Sequence, residues 1–252
     1  MKKLTMVSCS VVLVLISLMT GIYTYNQKIE RTRVSQQPYV KQQAKEEKIL
    51  AEKEAKAEAK RKAEEKAIYE KHKGETLIYS PMGDSLAFGY FSTSESRRYI
   101  NVLGQLIHDK LGYNVKIEGD KLSGATVWNN GIPDLNWVKN QQPDLVTIEY
   151  GTNDLDKNDT RHYVSPSKFK RGLEIMIDKL RNSPKKPKII LLTTWNKWDP
   201  SIPYDNAIKA VGKQKRVPVA DLSTIWRNYQ GVVSIPGLKT YQYYEHHDLS
   251  DR

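Results

Sequence analysis

The sequence predicts a three-layer αβα sandwich with a five-stranded parallel sheet over residues 74–252, preceded by a transmembrane helix and a helical stalk. Three observations carry this. From Glu75 onward, short apolar runs alternate with amphipathic helical stretches, the βαβ pattern of a parallel sheet covered on both faces. Residues 27–73 are instead dominated by Ala, Glu and Lys. Before them, an uncharged run follows Lys2 and Lys3.

That run extends from Leu4 to about Asn26, with Val11-Val12-Leu13-Val14-Leu15-Ile16-Ser17-Leu18-Met19 at its centre. A helix needs about 20 apolar residues to cross a bilayer. A cleaved signal peptide has a shorter apolar core and a small-residue cleavage site, and Thr20-Gly21 is the nearest approach to one. Tyr23 and Tyr25 suit an interfacial aromatic belt. Residues 1–26 are therefore read as an uncleaved signal anchor that spans the membrane through residues 4–26; secretion after cleavage is the alternative. Cys9 is the only cysteine and lies within this run, so the domain has no disulfide and no cysteine metal site.

In the stalk, Ala51, Ala55, Ala59, Ala63 and Ala67 recur every four residues, and Glu–Lys pairs fall at 52/56 and 58/62. Such residues favour a single helix, which over 37–73 would be on the order of 50 Å long. A weak coiled coil is the competing reading. Either form would act as a spacer.

In the domain, strands are expected at 76–80, 114–117, 144–150, 188–194 and 217–222. Helices are expected at 95–111, within 132–141, at 166–182 and at 204–213. The third of these shows the apolar spacing most clearly, in Phe169, Leu173, Met176, Ile177 and Leu180. About 180 residues suffice to bury a core.

The net charge of +11 could indicate a nucleic acid or an anionic surface. However, residues 26–73 hold 14 Lys/Arg against 9 Asp/Glu, and residues 74–252 hold 24 against 20. More than half of the excess thus lies outside the domain, and no nucleic-acid partner is expected.

The chemistry-bearing residues fall at strand ends. Gly83-Asp84-Ser85-Leu86 follows the first strand, Ser123-Gly124-Ala125-Thr126 follows the second, and Gly151-Thr152-Asn153-Asp154 follows the third. Ligands bind outside the carboxyl ends of the strands in α/β sheets, which makes Ser85 a candidate nucleophile. Taken alone, Gly-Asp-Ser is only a turn with good capping residues, Gly124 a turn glycine, and Asn153 a helix cap or Asx-turn.

The three blocks in this order resemble the SGNH (GDSL-type) serine esterase family, whose fold is flavodoxin-like. Asp221-Leu222-Ser223-Thr224-Ile225-Trp226 also resembles the segment before that family's last block. The resemblance covers roughly residues 75–252. It implies that Ser85 attacks an ester and that the Ser85 N–H, the Gly124 N–H and the Asn153 amide stabilise the oxyanion. Fixed donors of this kind stabilise the negative oxygen that forms.

The family also places an Asp-x-x-His pair near the C-terminus, with the histidine as base. No Asp with a His three residues later is expected in the chain, and the matching stretch, Asp248-Leu249-Ser250-Asp251-Arg252, ends without one. Asp251 is the expected counterpart of the aspartate, with the histidine expected beyond Arg252 in a longer protein. His247, with His246 beside it, can serve instead only if the terminal loop folds back. His162 could approach the edge of the site but reads as a surface loop residue, and His108 reads as structural. Asp84 reads as an orienter of its loop. A metal site from His246, His247 and Asp248 is disfavoured because adjacent side chains on an extended chain point apart. Without a phosphate loop or paired metal ligands, neither cofactor nor metal is expected. Trp195 and Trp198 could line an acyl or sugar pocket or pack at an edge.

The expected function is that of an extracytoplasmic serine esterase acting on acyl esters, O-acetyl above all, with cell-wall polysaccharide as substrate. A lysophospholipase, a short-acyl lipase or an acyltransferase would use the same residues on a lipid or glycan. A wall-binding module with a degenerate esterase fold is the reading from another class.

Overall fold

The computed structural model describes residues 2–90, 92–195 and 199–226, with side chains from Ser17 on apart from those of Val40 and Trp226. The chain forms two compact units, Met1–Glu64 and Glu65–Arg252. The first is drawn from helix α1 (Lys2–His72). Within it Lys62 reaches Glu58 at 2.7 Å, one of the two pairs that the spacing predicts. Exposed pairs of this kind contribute about 0.3–0.5 kcal/mol each, so helix propensity dominates.

Among the described residues no helix is long and apolar enough to cross a membrane. The span expected at 4–26 falls largely outside that statement, because the side chains through Ile16, most of its apolar centre, lie outside the described residues.

The second unit carries a parallel sheet built from β1 (Thr76–Gly83), β2 (Asn114–Ile117), β3 (Asp120–Lys121), β4 (Leu145–Glu149), β5 (Lys188–Leu192) and β6 (Val219–Ala220). Its order is β2-β1-β4-β5-β6, with β3 also on β1. The sheet thus has six strands rather than the expected five. The sixth lies in the stretch expected to be a loop, and it continues the β2 edge. Thr76–Tyr79 pair with β2, while Met82 and Gly83 pair with Asp120 and Lys121.

The interruption has a cause. Tyr79 and Gly83 turn their carbonyls to this edge, accepting from Glu118 N–H at 2.9 Å and Leu122 N–H at 3.2 Å. Pro81 lies between them in the same alternation and has no N–H to give. Gly119 (φ 90°) packs there so closely that a Cβ would lie 2.2 Å from the Pro81 carbonyl. The Gln141 side chain fills the gap, its Oε1 accepting from Gly119 N–H at 2.8 Å and from the Ser80 hydroxyl at 2.7 Å. The first strand therefore runs through Pro81 instead of breaking at it.

Strand alternation divides the layers. Met82, Val146 and Ile148 join a buried cluster with Phe169, Leu173 and Met176 of α5 (Pro166–Arg181). Helices α4 (Leu135–Asn140) and α6 (Ile202–Lys215) flank α5 and complete that layer. Tyr79, Thr147 and Glu149 point to the other face, towards Tyr99 of α3 (Tyr99–Leu111). The helix expected from residue 95 instead begins with a 3-10 turn, Glu95–Arg97, and an extended Arg98 before α3.

Candidate active site

Strand β1 has β2 on one side and β4 on the other, so the chain reverses its direction across the sheet between them. A crevice opens at the carboxyl ends of strands at such a reversal, and ligands bind there. The loops after β1 and β4 carry Ser85 and Asn153.

Ser85 begins helix α2 (Ser85–Phe88). Asp84 caps it, accepting from the Leu86 N–H on Oδ1 at 2.9 Å, and the Ser85 hydroxyl lies beside the same carboxyl. The turn is tight because Gly83 has no side chain. A Cβ there would lie 2.7 Å from both Ala87 Cβ and the Glu149 carbonyl. The following helix turn ends at Gly89 in the left-handed region, with φ 116°.

The Asn153 amide joins the three loops. Nδ2 donates to Asp84 Oδ2 at 3.1 Å and to the Ala125 carbonyl at 3.0 Å. Gly124 precedes that carbonyl and adopts φ +78°, which glycine permits without a Cβ penalty. Asp154 holds the third loop, accepting from Gly151 N–H at 3.1 Å and Val127 N–H at 3.2 Å. The structure therefore brings together the loops of Ser85, Gly124 and Asn153. Asp251 and His247, with His246 and Trp198, lie outside the described residues. Trp195 lines a cavity of about 320 Å³ with Leu86, Tyr90, Arg98, Glu149 and Leu222.

Buried carboxyls shape the electrostatics. Burial raises Asp84 to about 6, against hydrogen bonds that lower it. Glu149, at the end of β4, is pushed well above the usual range by burial and then by the Asp84 charge. Burial also raises Asp154 to about 7.

His162 is placed more informatively than its surface reading suggests. Its Nδ1 lies 2.6 Å from Asp159 Oδ2, and its Cε1 is 4.0 Å from where a Cβ on Gly124 would stand. Asp159 is held at about 2, first by its hydrogen bond to the Arg161 side chain. Asp159-Thr160-Arg161-His162 has the Asp-x-x-His spacing of the base pair sought at the C-terminus. The pair overturns the expectation that no Asp of the chain has a His three residues later, and the spacing itself is the signal for it. The other described histidines stand elsewhere, His72 against Tyr113 and Glu75 and His108 against the Tyr113 carbonyl. Among the described residues no group of three His, Cys, Asp or Glu is arranged to hold a metal ion.

The sequence profile of the GDSL-like lipase/acylhydrolase family matches residues 82–236, more than half of the chain and all three loops. The chain belongs to this family. It is a carboxylic ester hydrolase of the GDSL (SGNH) type. Solved structures similar to this GDSL-type hydrolase include Axe2, an acetylxylan esterase from Geobacillus stearothermophilus, at 20% identity and TM-score 0.50, covering 62% of this chain and 80% of that one. A mutant of the same protein, described as an acetyl-xylooligosaccharide esterase, matches at 20% identity and TM-score 0.51, covering 68% and 88%. A catalytic mutant matches at 19% identity and TM-score 0.51, covering 69% and 90%. At such identity the likeness shows the fold. No curated protein sequence matches the chain.

Proposed function

We propose that this GDSL-type hydrolase is an extracytoplasmic serine esterase that removes O-acetyl groups from cell-wall polysaccharide. The observation that carries the reading is the Asn153 amide, which ties the Ser85 turn to the Gly124 loop at the carboxyl ends of β1 and β4. Ser85 Oγ attacks the ester carbonyl. The backbone N–H groups of Ser85 and Gly124 and the Asn153 amide hold the oxyanion, and water then hydrolyses the acyl-enzyme. The acetyl ester follows the acetylated xylan and xylooligosaccharide named for the structural neighbours. The wall location follows from the uncharged run at 4–26 as a membrane anchor and from the helical stalk as a spacer. Lysophospholipid or short-acyl esters, or transfer of the acyl group to a sugar hydroxyl, are the competing uses of the same residues.

On this reading the base belongs to the C-terminal segment with Asp251 as orienter, and His247 takes the role only if the terminal loop folds back. A second reading gives the role to His162 with Asp159, and it is favoured by the 2.6 Å pair standing beside Gly124.

The test is hydrolysis of p-nitrophenyl acetate and of acetylated wall polysaccharide by the full chain and by Ser85→Ala. Loss of both activities in Ser85→Ala is expected. Equal rates would overturn the esterase reading, and retained polysaccharide binding would then favour a wall-binding module. Protease accessibility in whole cells tests the location; a fully protected domain would contradict it.

A further inference from the structure

Glu149 is a buried acidic residue that the chemistry above leaves unused. Its exposure is 1%, yet neither carboxyl oxygen receives a hydrogen bond of full geometry from a described residue. The N–H groups of Asp84 and Ala87 stand beside it, off the line of a bond. Its polar neighbour is the Asp84 carboxyl. The turn that carries Asp84 packs closely on this side chain, since a Cβ on Gly83 would lie 2.9 Å from Glu149 Oε2. Two buried carboxylates in contact cannot both carry charge, so one must keep a proton.

The donors decide which one. Asp84 accepts from Leu86 N–H and from the Asn153 amide, and the Ser85 hydroxyl lies beside it. Those bonds favour the anion at Asp84 and leave the proton on Glu149. We propose that Glu149 is a positioning residue in its neutral acid form, donating its proton to Asp84 so that Asp84 holds the nucleophile turn and the Asn153 amide in one array. The proposal rests on the esterase reading for its consequence in catalysis, but the proton itself is independent of that reading.

The other groups around the pair come from several elements. Tyr99 faces Glu149 from α3, and Tyr150 and Asp154 follow it in the chain. Arg97, Arg98 and Tyr90 line the cavity that Glu149 borders. Burial raises Tyr99 and Tyr150 well above the usual phenol range, so neither competes as a base. Ionisation of Glu149 at high pH would set like charges against each other behind Ser85, and the array would loosen.

The test has two readouts on the full chain. Infrared difference spectra between wild type and Glu149→Gln at pH 8, where Asp154 is largely ionised, should show the carbonyl stretch of a protonated carboxylic acid in the wild type alone. In turnover, Glu149→Ala should lose kcat by about a hundredfold with KM little changed, the scale of losing one oxyanion donor. Glu149→Gln, which still donates to Asp84 at every pH, should restore that loss and abolish the alkaline fall in rate. A spectrum without the difference band overturns the proposal, and so does a Glu149→Ala variant with wild-type kcat and pH profile. If the band is present but Ser85→Ala keeps wild-type activity, the proton assignment stands and the esterase reading is what fails.

Discussion

Asn153 Nδ2 donates to Asp84 Oδ2 at 3.1 Å, and its second hydrogen goes to the Ala125 carbonyl at 3.0 Å. A primary amide has two N–H donors, so both are in use before any substrate arrives. An oxyanion must share or displace one of these bonds. The weaker competitor is the neutral Ala125 carbonyl, because a charged acceptor holds its donor more strongly. Asn153→Ala should therefore lower kcat by about 10²–10³ while KM changes little. It should also lower stability by about 1–3 kcal/mol, since buried Asp84 loses a donor. Turnover of p-nitrophenyl acetate and urea unfolding read the two effects separately.

The glycines of the first and second loops should fail in different ways. Alanine at position 83 puts a Cβ 2.7 Å from Ala87 Cβ and from the Glu149 carbonyl, inside packed backbone. Overpacking of this kind costs about 1–3 kcal/mol, and Gly83→Ala should unfold at lower urea. At Gly124 the nearest atom is His162 Cε1 at 4.0 Å, so the cost there is left-handed backbone alone, about 1–2 kcal/mol. Gly124→Ala should be the more stable of the two and yet lose turnover, because its N–H is aimed by that φ.

These contrasts also show what could be read from the chain alone. Ser85 and Asn153 sit a few residues past apolar runs, and a strand end is a local signal. The β3 strand could not be read that way: two residues, Asp120 and Lys121, owe their pairing to a break set by Pro81 from another strand. Glu149 falls within the strand expected at 144–150, with nothing local to single it out. Its proximity to Asp84 depends on β1 and β4 being neighbours, which the sequence does not state. The Asp159–His162 spacing was in plain view, but its meaning required the loop after β4 to return to Gly124.

Stability should fall as pH rises through the acid range, with Asp154 as one cause. Burial raises its folded-state value to about 7, against an ordinary 3.8. Between those values the native state binds more protons than the unfolded chain, so stability declines with rising pH. The contribution is complete below about pH 4 and gone above about pH 7. Asp154→Asn cannot ionise and should flatten that part of the curve. Melting temperatures of both proteins from pH 4 to 8 test this; parallel curves would show that Asp154 is ionised throughout.

His162→Ala separates the two assignments of the base. A general base contributes about 10²–10⁴ in rate. With the base in the C-terminal segment, His162→Ala should reduce kcat on p-nitrophenyl acetate by less than that range. The larger effect should fall on KM for an acetylated oligosaccharide, because His162 stands beside Gly124. Asp159→Asn should follow His162→Ala in direction, because the 2.6 Å contact sets the ring's orientation. A kcat loss as deep as that of Ser85→Ala, shared by both variants and with KM unchanged, would move the base to His162. The pair beside Gly124 would then complete the triad from within the loop after β4.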